Sequence, residues 1–187
     1  VTLNGAGRVF ASAGSIHAEV FGSRDDLNEF YHWQPPGQTI TSAAAYTLFG
    51  FNVWTTRLVS VFFAVSLVPL TAGLARRLGA SSVMSLLVGA AVAVDPALAS
   101  TARSGRMDAQ ALALLMSASL LLVVACARPI RPRIGALAGF ASIGSVLTHP
   151  AATPYVVTLF VALIVVRVPL RLAIYYVLGH FYCSFHT

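Results

Sequence analysis

The chain has 187 residues, of which 57% are hydrophobic and 10% are charged, and its mean hydropathy is +0.79. Soluble domains carry about a quarter charged residues, so this composition excludes an ordinary soluble domain and indicates an integral membrane protein. The net charge of +6 comes from arginines in short gaps between apolar runs, which argues against a nucleic-acid-binding surface.

Residues 1–52 are mixed in character and include the acidic stretch RDDLNEF, with Asp25 and Asp26. Its carboxylates could supply oxygen ligands to a divalent cation, but a solvated loop is the simpler interpretation, and we predict neither a metal site nor a cofactor. The later stretch GQTITSAAAYTLF is too short and too polar to cross a membrane. We predict that it forms a juxtamembrane helix along the membrane surface.

A membrane-spanning helix needs about 20 mostly apolar residues. The last long apolar run would be about 50 Å long as one helix, so the prolines of LTHPAATP are expected to divide it into two shorter spans. The sequence therefore predicts an all-α, polytopic helical membrane bundle of about five spans, with residues 172–187 beginning a further one. The predicted spans are residues 53–75, 81–100, 107–127, 134–147 and 154–166.

Charges differ between the two ends of these spans. Arginines without an acidic neighbour follow the first, third and fifth spans: Arg76, Arg77, Arg128, Arg131, Arg133, Arg167 and Arg171. The positive-inside rule makes that end cytoplasmic. All six acidic residues then fall on the opposite side. We therefore predict a multi-pass protein of the plasma (inner) membrane, with residues 1–52 extracytoplasmic.

Two arginines and an aspartate gather at the start of the span 107–127, in the stretch ASTARSGRMDAQALALLM. Asp108 is two residues from Arg106 and five from Arg103, and neither spacing gives a good ion pair within one continuous helix. One interpretation is that Asp108 caps or charges the helix N-terminus, where the helix dipole favours an anion. The other is an acidic functional site at the membrane surface, with arginines that bind an anionic group such as phosphate.

Four motifs occur in a characteristic order: WQPPGQTI, LFGFNVWTTRLVSVFFA, LARRLG and VDPALASTARSGRMDAQALALLM. Together they resemble the front part of GT-C membrane glycosyltransferases, in particular the family of protein O-mannosyltransferases and lipid A aminoarabinose transferases. The resemblance covers residues 4–127, and the LTHP region fits more loosely. It implies a GT-C-like bundle with outer juxtamembrane helices. It also implies transfer of a sugar from a polyprenyl-phosphate donor to a lipid, glycan or protein acceptor outside the cytoplasm.

The resemblance also implies roles for individual residues. Asp108 matches the family's acidic residue at the outer end of a helix, and Arg103 or Arg106 matches the basic residue before it. Arg57 matches the arginine of an arginine-leucine pair. In such enzymes an acidic residue activates the acceptor hydroxyl and basic residues hold the departing lipid phosphate. Gln34 stands where aminoarabinose transferases often carry a lysine, which weakens any phosphate role at this position.

The start of the chain departs from the family pattern. The family's principal catalytic carboxylate should fall near Asn4, and an amide cannot act as a general base. Three explanations remain open: the chain begins inside a divergent loop, another acid such as Asp25, Asp26 or Glu29 substitutes, or the protein has lost transferase activity. We keep Asp25 and Asp26 beside Asp108 as candidate catalytic residues, and we expect the chain to be a segment of a longer protein.

Two histidines complete the candidate site. His32 precedes the Pro-Pro pair and His149 lies in LTHP. Each could contact a substrate, although a surface hydrogen bond or turn geometry explains them as well. Two alternative functions remain: a non-catalytic GT-C-like protein in a membrane complex, which the missing early acid favours, and a transporter of a lipid-linked anion. A transporter usually places ionisable groups near the membrane midplane, where the first three predicted spans carry almost none.

The Pro-Pro pair generates a first prediction. Each proline fixes its own φ and restricts the residue before it, so Pro35 and Pro36 should give the juxtamembrane helix a rigid start. Replacing both by alanine is expected to reduce sugar transfer or folded yield of the full-length protein more than Gln34→Ala does. Transfer and yield measured side by side test this, and equal losses in the two variants would contradict a structural role.

Overall fold

The computed structural model describes residues 36–127, 129–165 and 168–184, with side chains up to residue 179. These residues are helical throughout, apart from short connections, which confirms the predicted all-α membrane bundle. Within the described ranges, eight α-helices and one short 3-10 turn follow in chain order: α1 (Pro36–Phe49), α2 (Val53–Arg77), α3 (Ser82–Ala93), α4 (Pro96–Ser104), α5 (Asp108–Cys126), α6 (Pro132–Thr148), the 3-10 turn (Pro150–Ala152), α7 (Thr153–Val165) and α8 (Leu170–Ser184).

Among the described residues, α2 and α5 are long and apolar enough to cross a membrane, and the bent pair α3–α4 would add a third span. Helices α6 and α7 occupy the predicted spans 134–147 and 154–166. They have 17 and 13 residues, and at 1.5 Å per residue they are about 25 and 20 Å long. Both are therefore shorter than a hydrocarbon core of about 30 Å.

The predicted span 81–100 is not one continuous helix. It is divided into α3 and α4, which meet at an angle of 49°. Pro96 lacks a backbone N–H and disfavours helical geometry in the residue before it, and Asp95 accordingly has an extended backbone. The Asp95 carboxylate then accepts hydrogen bonds from the Ala97 and Leu98 amides, so it starts a new helix. Asp95 therefore stands at the break within this predicted span.

Helix α6 lies at the centre of the bundle, with its most extensive contacts to α5 and α8. Its buried face carries small residues at intervals of three or four: Gly135, Ala138, Ser142 and Ser145. Small residues at such positions let helix backbones approach closely in a membrane. The buried Tyr176 of α8 packs against this face, with its hydroxyl 2.8 Å from Ser142 Oγ.

Helix α1 occupies the stretch predicted to be a juxtamembrane helix, and it lies across one end of the bundle. A Cβ at Gly37 would stand 2.5 Å from Thr148 Oγ1 and 2.9 Å from Leu147 O, so only glycine permits this approach to the end of α6. At the other end of α1, the Tyr46 hydroxyl lies 2.6 Å from Thr56 Oγ1 of α2. Burial raises the pKa of Tyr46, against the smaller opposing effect of that hydrogen bond, so the phenol is protonated at neutral pH.

The contact between α6 and α8 generates a prediction about stability. A methyl group at Gly179 would overlap the carbonyl oxygen of Ala136 and stand 3.0 Å from Phe140 N, and both are backbone atoms. Gly179→Ala is therefore expected to lower the free energy of unfolding by about 1–3 kcal/mol, as overpacking does. Thermal unfolding of the full-length protein in detergent measures this.

Gly144→Ala is the matched control for this substitution. It adds the same methyl group within α6, but the nearest atom there, Leu114 Cδ1, is 3.5 Å away, which is ordinary contact. We expect Gly144→Ala to be neutral or slightly stabilising, because alanine favours a helix over glycine. An equal loss of stability in the two variants would show that the Gly179 contact is not the cause.

Candidate functional site

A sharp turn between α4 and α5 carries the charges that the sequence analysis singled out. Helix α4 ends at Ser104 because Gly105 takes the left-handed conformation, with φ +72°. Glycine adopts this conformation without steric cost and is the usual residue just after a helix. Helix α5 starts only at Asp108, so Arg106 lies in the turn itself and Arg103 lies in the last turn of α4.

Two other helices hold this turn in place. Ser60 of α2 donates a hydrogen bond of 3.0 Å to the carbonyl of Arg106. Gln38 of α1 donates its amide, at 3.4 Å, to the carbonyl of Gly105. The methyl group of Thr56 packs against the same glycine, where a Cβ would be only 3.1 Å away. The turn is therefore fixed from two sides, by buried side chains.

Asp108 is paired with one residue of the turn and one from a distant part of the chain. Arg106 Nε donates to Asp108 Oδ2 at 2.6 Å, and His149 Nε2 lies 3.3 Å from Asp108 Oδ1. The poor spacing of Arg106 and Asp108 was expected only for one continuous helix. The backbone at Arg106 is not helical, so that condition is not met and the two side chains can pair.

The structure also bears on whether Asp108 serves only to start a helix. The N-cap position of α5 is Met107, and no side chain makes a capping hydrogen bond there. Asp108 is the first residue of the helix and brings a negative charge to its positive end, as the dipole favours. Its two carboxylate oxygens, however, bind Arg106 and His149, and its side chain is 37% exposed. It is thus a fixed carboxylate that solvent and ligands can reach.

His149 is held in one orientation by its own turn. Its Nδ1 accepts a hydrogen bond of 3.1 Å from the Ala151 amide at the start of the 3-10 turn. A neutral imidazole that accepts at Nδ1 carries its proton at Nε2, and that nitrogen faces Asp108. In its neutral form the ring then donates from Nε2 to the carboxylate, an arrangement that can orient Asp108.

Asp108 and His149 open onto a shared cavity of about 220 Å³, which we call the acidic cavity. Tyr155 of α7 stands on its wall, and Leu112 and Leu115 of α5 supply apolar lining. The arrangement places two polar groups and an aromatic ring around a mostly apolar space. A mostly apolar cavity with a few convergent polar groups is typical of a small-molecule binding site.

Arg57 and Arg103 line a second space, of about 740 Å³, which we call the basic cavity. The guanidinium of Arg57 lies over the Trp54 ring, 5.6 Å from the ring centroid. Leu58 and Val61 of α2 complete the lining. Within residues 36–127, 129–165 and 168–179, neither arginine forms an ion pair. Two exposed cations that face one space without a neighbouring carboxylate suit an anionic ligand.

Four of the predicted site residues, His32, Gln34, Asp25 and Asp26, lie outside the described residues, as does Asn4. The same holds for the acidic stretch considered as a cation site. Across the part of the chain that the structure does describe, no group of three or more His, Cys, Asp or Glu side chains could hold a metal ion. The structure thus brings Asp108, Arg106 and His149 together in one cluster. It brings Arg57 and Arg103 together in another.

Sequence reasoning missed residues that shape the site. Trp54 precedes Arg57 by three residues, a helical spacing that would have placed the ring beside the guanidinium. Gln38 lies in the quoted motif WQPPGQTI but carries no charge to attract notice. Ser60 gives no local signal, because its partner Arg106 is 46 positions away. Tyr155 likewise reaches the acidic cavity only through the packing of α7.

The family model described as dolichyl-phosphate-mannose-protein mannosyltransferase matches residues 26–182, which is most of the chain. Neither the curated proteins nor the solved structures include a match. The family match confirms the resemblance inferred from the order of the motifs, and with it the prediction of a membrane glycosyltransferase. The chain belongs to the dolichyl-phosphate-mannose-protein mannosyltransferase family.

Proposed function

We propose that this protein transfers a sugar from a polyprenyl-phosphate donor to a hydroxyl acceptor on the extracytoplasmic side of the membrane. One observation carries the proposal. The turn between α4 and α5 places the carboxylate of Asp108 in the lining of the acidic cavity. Arg103, at the end of α4, lines the basic cavity together with Arg57. Family membership supports the glycosyltransferase class. The two cavities support separate roles for an acceptor-activating carboxylate in one cavity and phosphate-binding arginines in the other.

The proposed reaction is a single displacement with inversion. The acceptor oxygen attacks the anomeric carbon of the donor sugar and loses its proton to the Asp108 carboxylate. The bond between that carbon and the phosphate oxygen breaks, and both electrons leave with the lipid phosphate. A positioned general base typically contributes a rate factor of about 10²–10⁴. Arginines can carry the charge that develops on the phosphate, so the proposed step requires no metal ion.

The hydrogen bonds that Asp108 makes are compatible with its proposed role as a general base. A carboxylate has about four lone-pair positions, so bonds to Arg106 and His149 leave capacity for an acceptor hydroxyl. These two bonds fix the carboxylate plane, which reduces the reorganisation needed when the acceptor arrives. Neutral His149 already uses Nδ1 as an acceptor. It therefore suits an orienting role better than proton abstraction.

The basic cavity suits the donor phosphate. Arginine binds phosphate through a planar fork of donors, and the guanidinium of Arg57 is supported by the Trp54 ring. Arg103 faces the same space from α4. We infer that these arginines bind the phosphate before reaction and stabilise its added charge afterwards. The acceptor, whether lipid, glycan or protein, would approach through the acidic cavity.

The proposed location follows from the distribution of charge. The N-terminal end of α2 and the turn before α5 lie together, joined by the bond between Ser60 and Arg106. Arg76 and Arg77 lie at the other end of α2. By the positive-inside rule, the arginine end is cytoplasmic, so both cavities open on the opposite face. We therefore propose a multi-pass protein of the plasma (inner) membrane that acts on its outer side.

Asp108→Asn is the first test of this proposal. Asparagine keeps the size of the side chain but cannot take the acceptor proton, so transfer is expected to fall about 100-fold or more. The assay uses membranes with the full-length protein at matched expression and a panel of labelled polyprenyl-phosphate sugars. The control is Ser104→Ala, which should retain transfer. Ser104 is also near the turn, but it is exposed and its hydroxyl bonds only to its own helix.

The outcomes of this assay separate the competing functions. Transfer that survives Asp108→Asn would limit Asp108 to a helix-charging role and direct attention to Asp25 and Asp26. No transfer from any donor by the unaltered protein would count against the enzyme and favour a non-catalytic member of the family. Similar thermal unfolding of the unaltered protein and the variant in detergent would exclude misfolding as the cause of a loss.

The basic cavity generates a separate prediction. Arg57→Gln and Arg103→Gln should each raise the KM for the donor about tenfold or more. A hydrogen bond to a charged group contributes about 1.5–3 kcal/mol, and about 1.4 kcal/mol corresponds to a factor of ten. Arg76→Gln is the control, since Arg76 bonds to the Ala80 carbonyl at the far end of α2. An equal change in Arg76→Gln would reduce the effect to general surface charge.

A further inference from the structure

The starts of α6 and α8 carry cations in a part of the chain that has no acidic residue. No aspartate or glutamate follows Asp108 in the sequence. Arg133 is the second residue of α6 and Arg171 is the second residue of α8, and both side chains are exposed. Among the described residues, neither arginine forms an ion pair. The proposed sugar transfer uses neither of them.

Helices α6 and α8 run side by side in the same direction from this end of the bundle. Near their starts, Gly135 faces Leu172 so closely that a Cβ on the glycine would overlap the leucine side chain. Farther along both helices, a Cβ at Gly179 would stand 3.0 Å from the backbone nitrogen of Phe140. Contacts that advance together along two helices show that the pair is parallel. The two arginines, each the second residue of its helix, are therefore at the same level.

Exposed apolar side chains follow each arginine on its own side of the helix. On α6, Leu137 and Phe140 come four and seven residues after the arginine, and both are exposed. On α8, Tyr175 and Leu178 come at the same two intervals, and both are exposed as well. Residues at these intervals share one side of a helix. At 1.5 Å per residue, each strip extends about 10 Å from its arginine.

The two strips adjoin each other. The backbone at Phe140, in the α6 strip, lies against Gly179, which is four residues after Tyr175 on the same side of α8. The result is one surface with two cations at its end and apolar side chains beyond them. We call this surface the α6–α8 seam, and it consists of Arg133, Leu137, Phe140, Arg171, Tyr175 and Leu178.

We propose that the α6–α8 seam binds an anionic phospholipid of the membrane leaflet at the arginine end. The phosphate lies between Arg133 and Arg171, and an acyl chain lies along the apolar strips. Charge complementarity supports this occupant, because basic surfaces between transmembrane helices attract anionic headgroups and arginine binds phosphate through a planar fork. By the positive-inside rule this leaflet is the cytoplasmic one. The inference does not depend on sugar transfer, whose proposed site is at the other end of the bundle.

Native mass spectrometry of the purified full-length protein tests the headgroup site. The protein in detergent is titrated with phosphatidylglycerol and, separately, with phosphatidylcholine, whose headgroup has no net charge. The apparent Kd should be about tenfold lower for phosphatidylglycerol. Combining Arg133→Gln with Arg171→Gln should raise the Kd for phosphatidylglycerol about tenfold or more, since each basic residue near a membrane surface adds to the attraction of anionic lipid.

The matched control combines Arg76→Gln with Arg77→Gln. It removes the same charge from the same end of the bundle, but on α2, whose most extensive contacts are with α5 and α3. We expect it to change the Kd for phosphatidylglycerol less than about twofold. Thermal unfolding in detergent compares the folding of the two double variants.

Cross-linking tests the acyl-chain strip on the unaltered protein. The full-length protein is reconstituted in phosphatidylcholine vesicles that contain a phosphatidylglycerol with a diazirine in its acyl chain. After irradiation, cross-links mapped by mass spectrometry should fall in residues 137–140 and 174–178. Excess unlabelled phosphatidylglycerol should remove them, whereas millimolar inorganic phosphate should not.

Several outcomes would overturn the inference. Equal affinity for the two lipids, or an equal loss of affinity in the two double variants, would reduce the effect to general lipid binding or general surface charge. Removal of the cross-links by inorganic phosphate would show a site for a free anion, and cross-links elsewhere in the bundle would place the lipid on another surface. Because the cross-linking uses the unaltered protein, it decides the matter even if the variant of the seam fails to fold.

Discussion

The hydrogen bond from Ser60 to the carbonyl of Arg106 fixes the turn on which both cavities depend. The second bond, from Gln38 to Gly105, and the packing of Thr56 against the same glycine also attach this connection to α1 and α2. Both donors are buried, so the turn is attached to the packed part of the bundle. Charged side chains at a membrane surface need such support, because their long stems otherwise move freely and bind ligands at a greater entropic cost.

The same turn separates charges that stand close together in the sequence. Arg103 stays on α4 and joins Arg57, which comes from α2, whereas Arg106 turns toward Asp108 at 2.6 Å. His149 then approaches Asp108 from beyond the end of α6. What looked like one basic and acidic cluster is thus two sites of different character. This separation allows one cation to stabilise a carboxylate while others remain available for an anion.

Close helix packing brings these parts to one end of the bundle. Gly37 lets α1 approach the end of α6, next to His149, and the small face of α6 lets α5 and α8 pack tightly around it. In a bilayer the hydrophobic effect does little to draw helices together, so such contacts and interhelical hydrogen bonds carry more of the association. The bond between Tyr176 and Ser142 is one of these. The geometry of the site is therefore coupled to packing deep in the bundle.

Hydropathy, proline positions and rare charges are local signals, and from them the sequence predicts the helical membrane class, the approximate bounds of most helices and Asp108 as a candidate site residue. It also identified the family through the order of its motifs. The folded chain was needed to show that His149 contacts Asp108, that Arg57 shares a cavity with Arg103, and that span 81–100 bends. The first two join residues more than forty positions apart, a relation that no local pattern encodes. The bend needed the backbone at Asp95, where an N-cap and a proline act together.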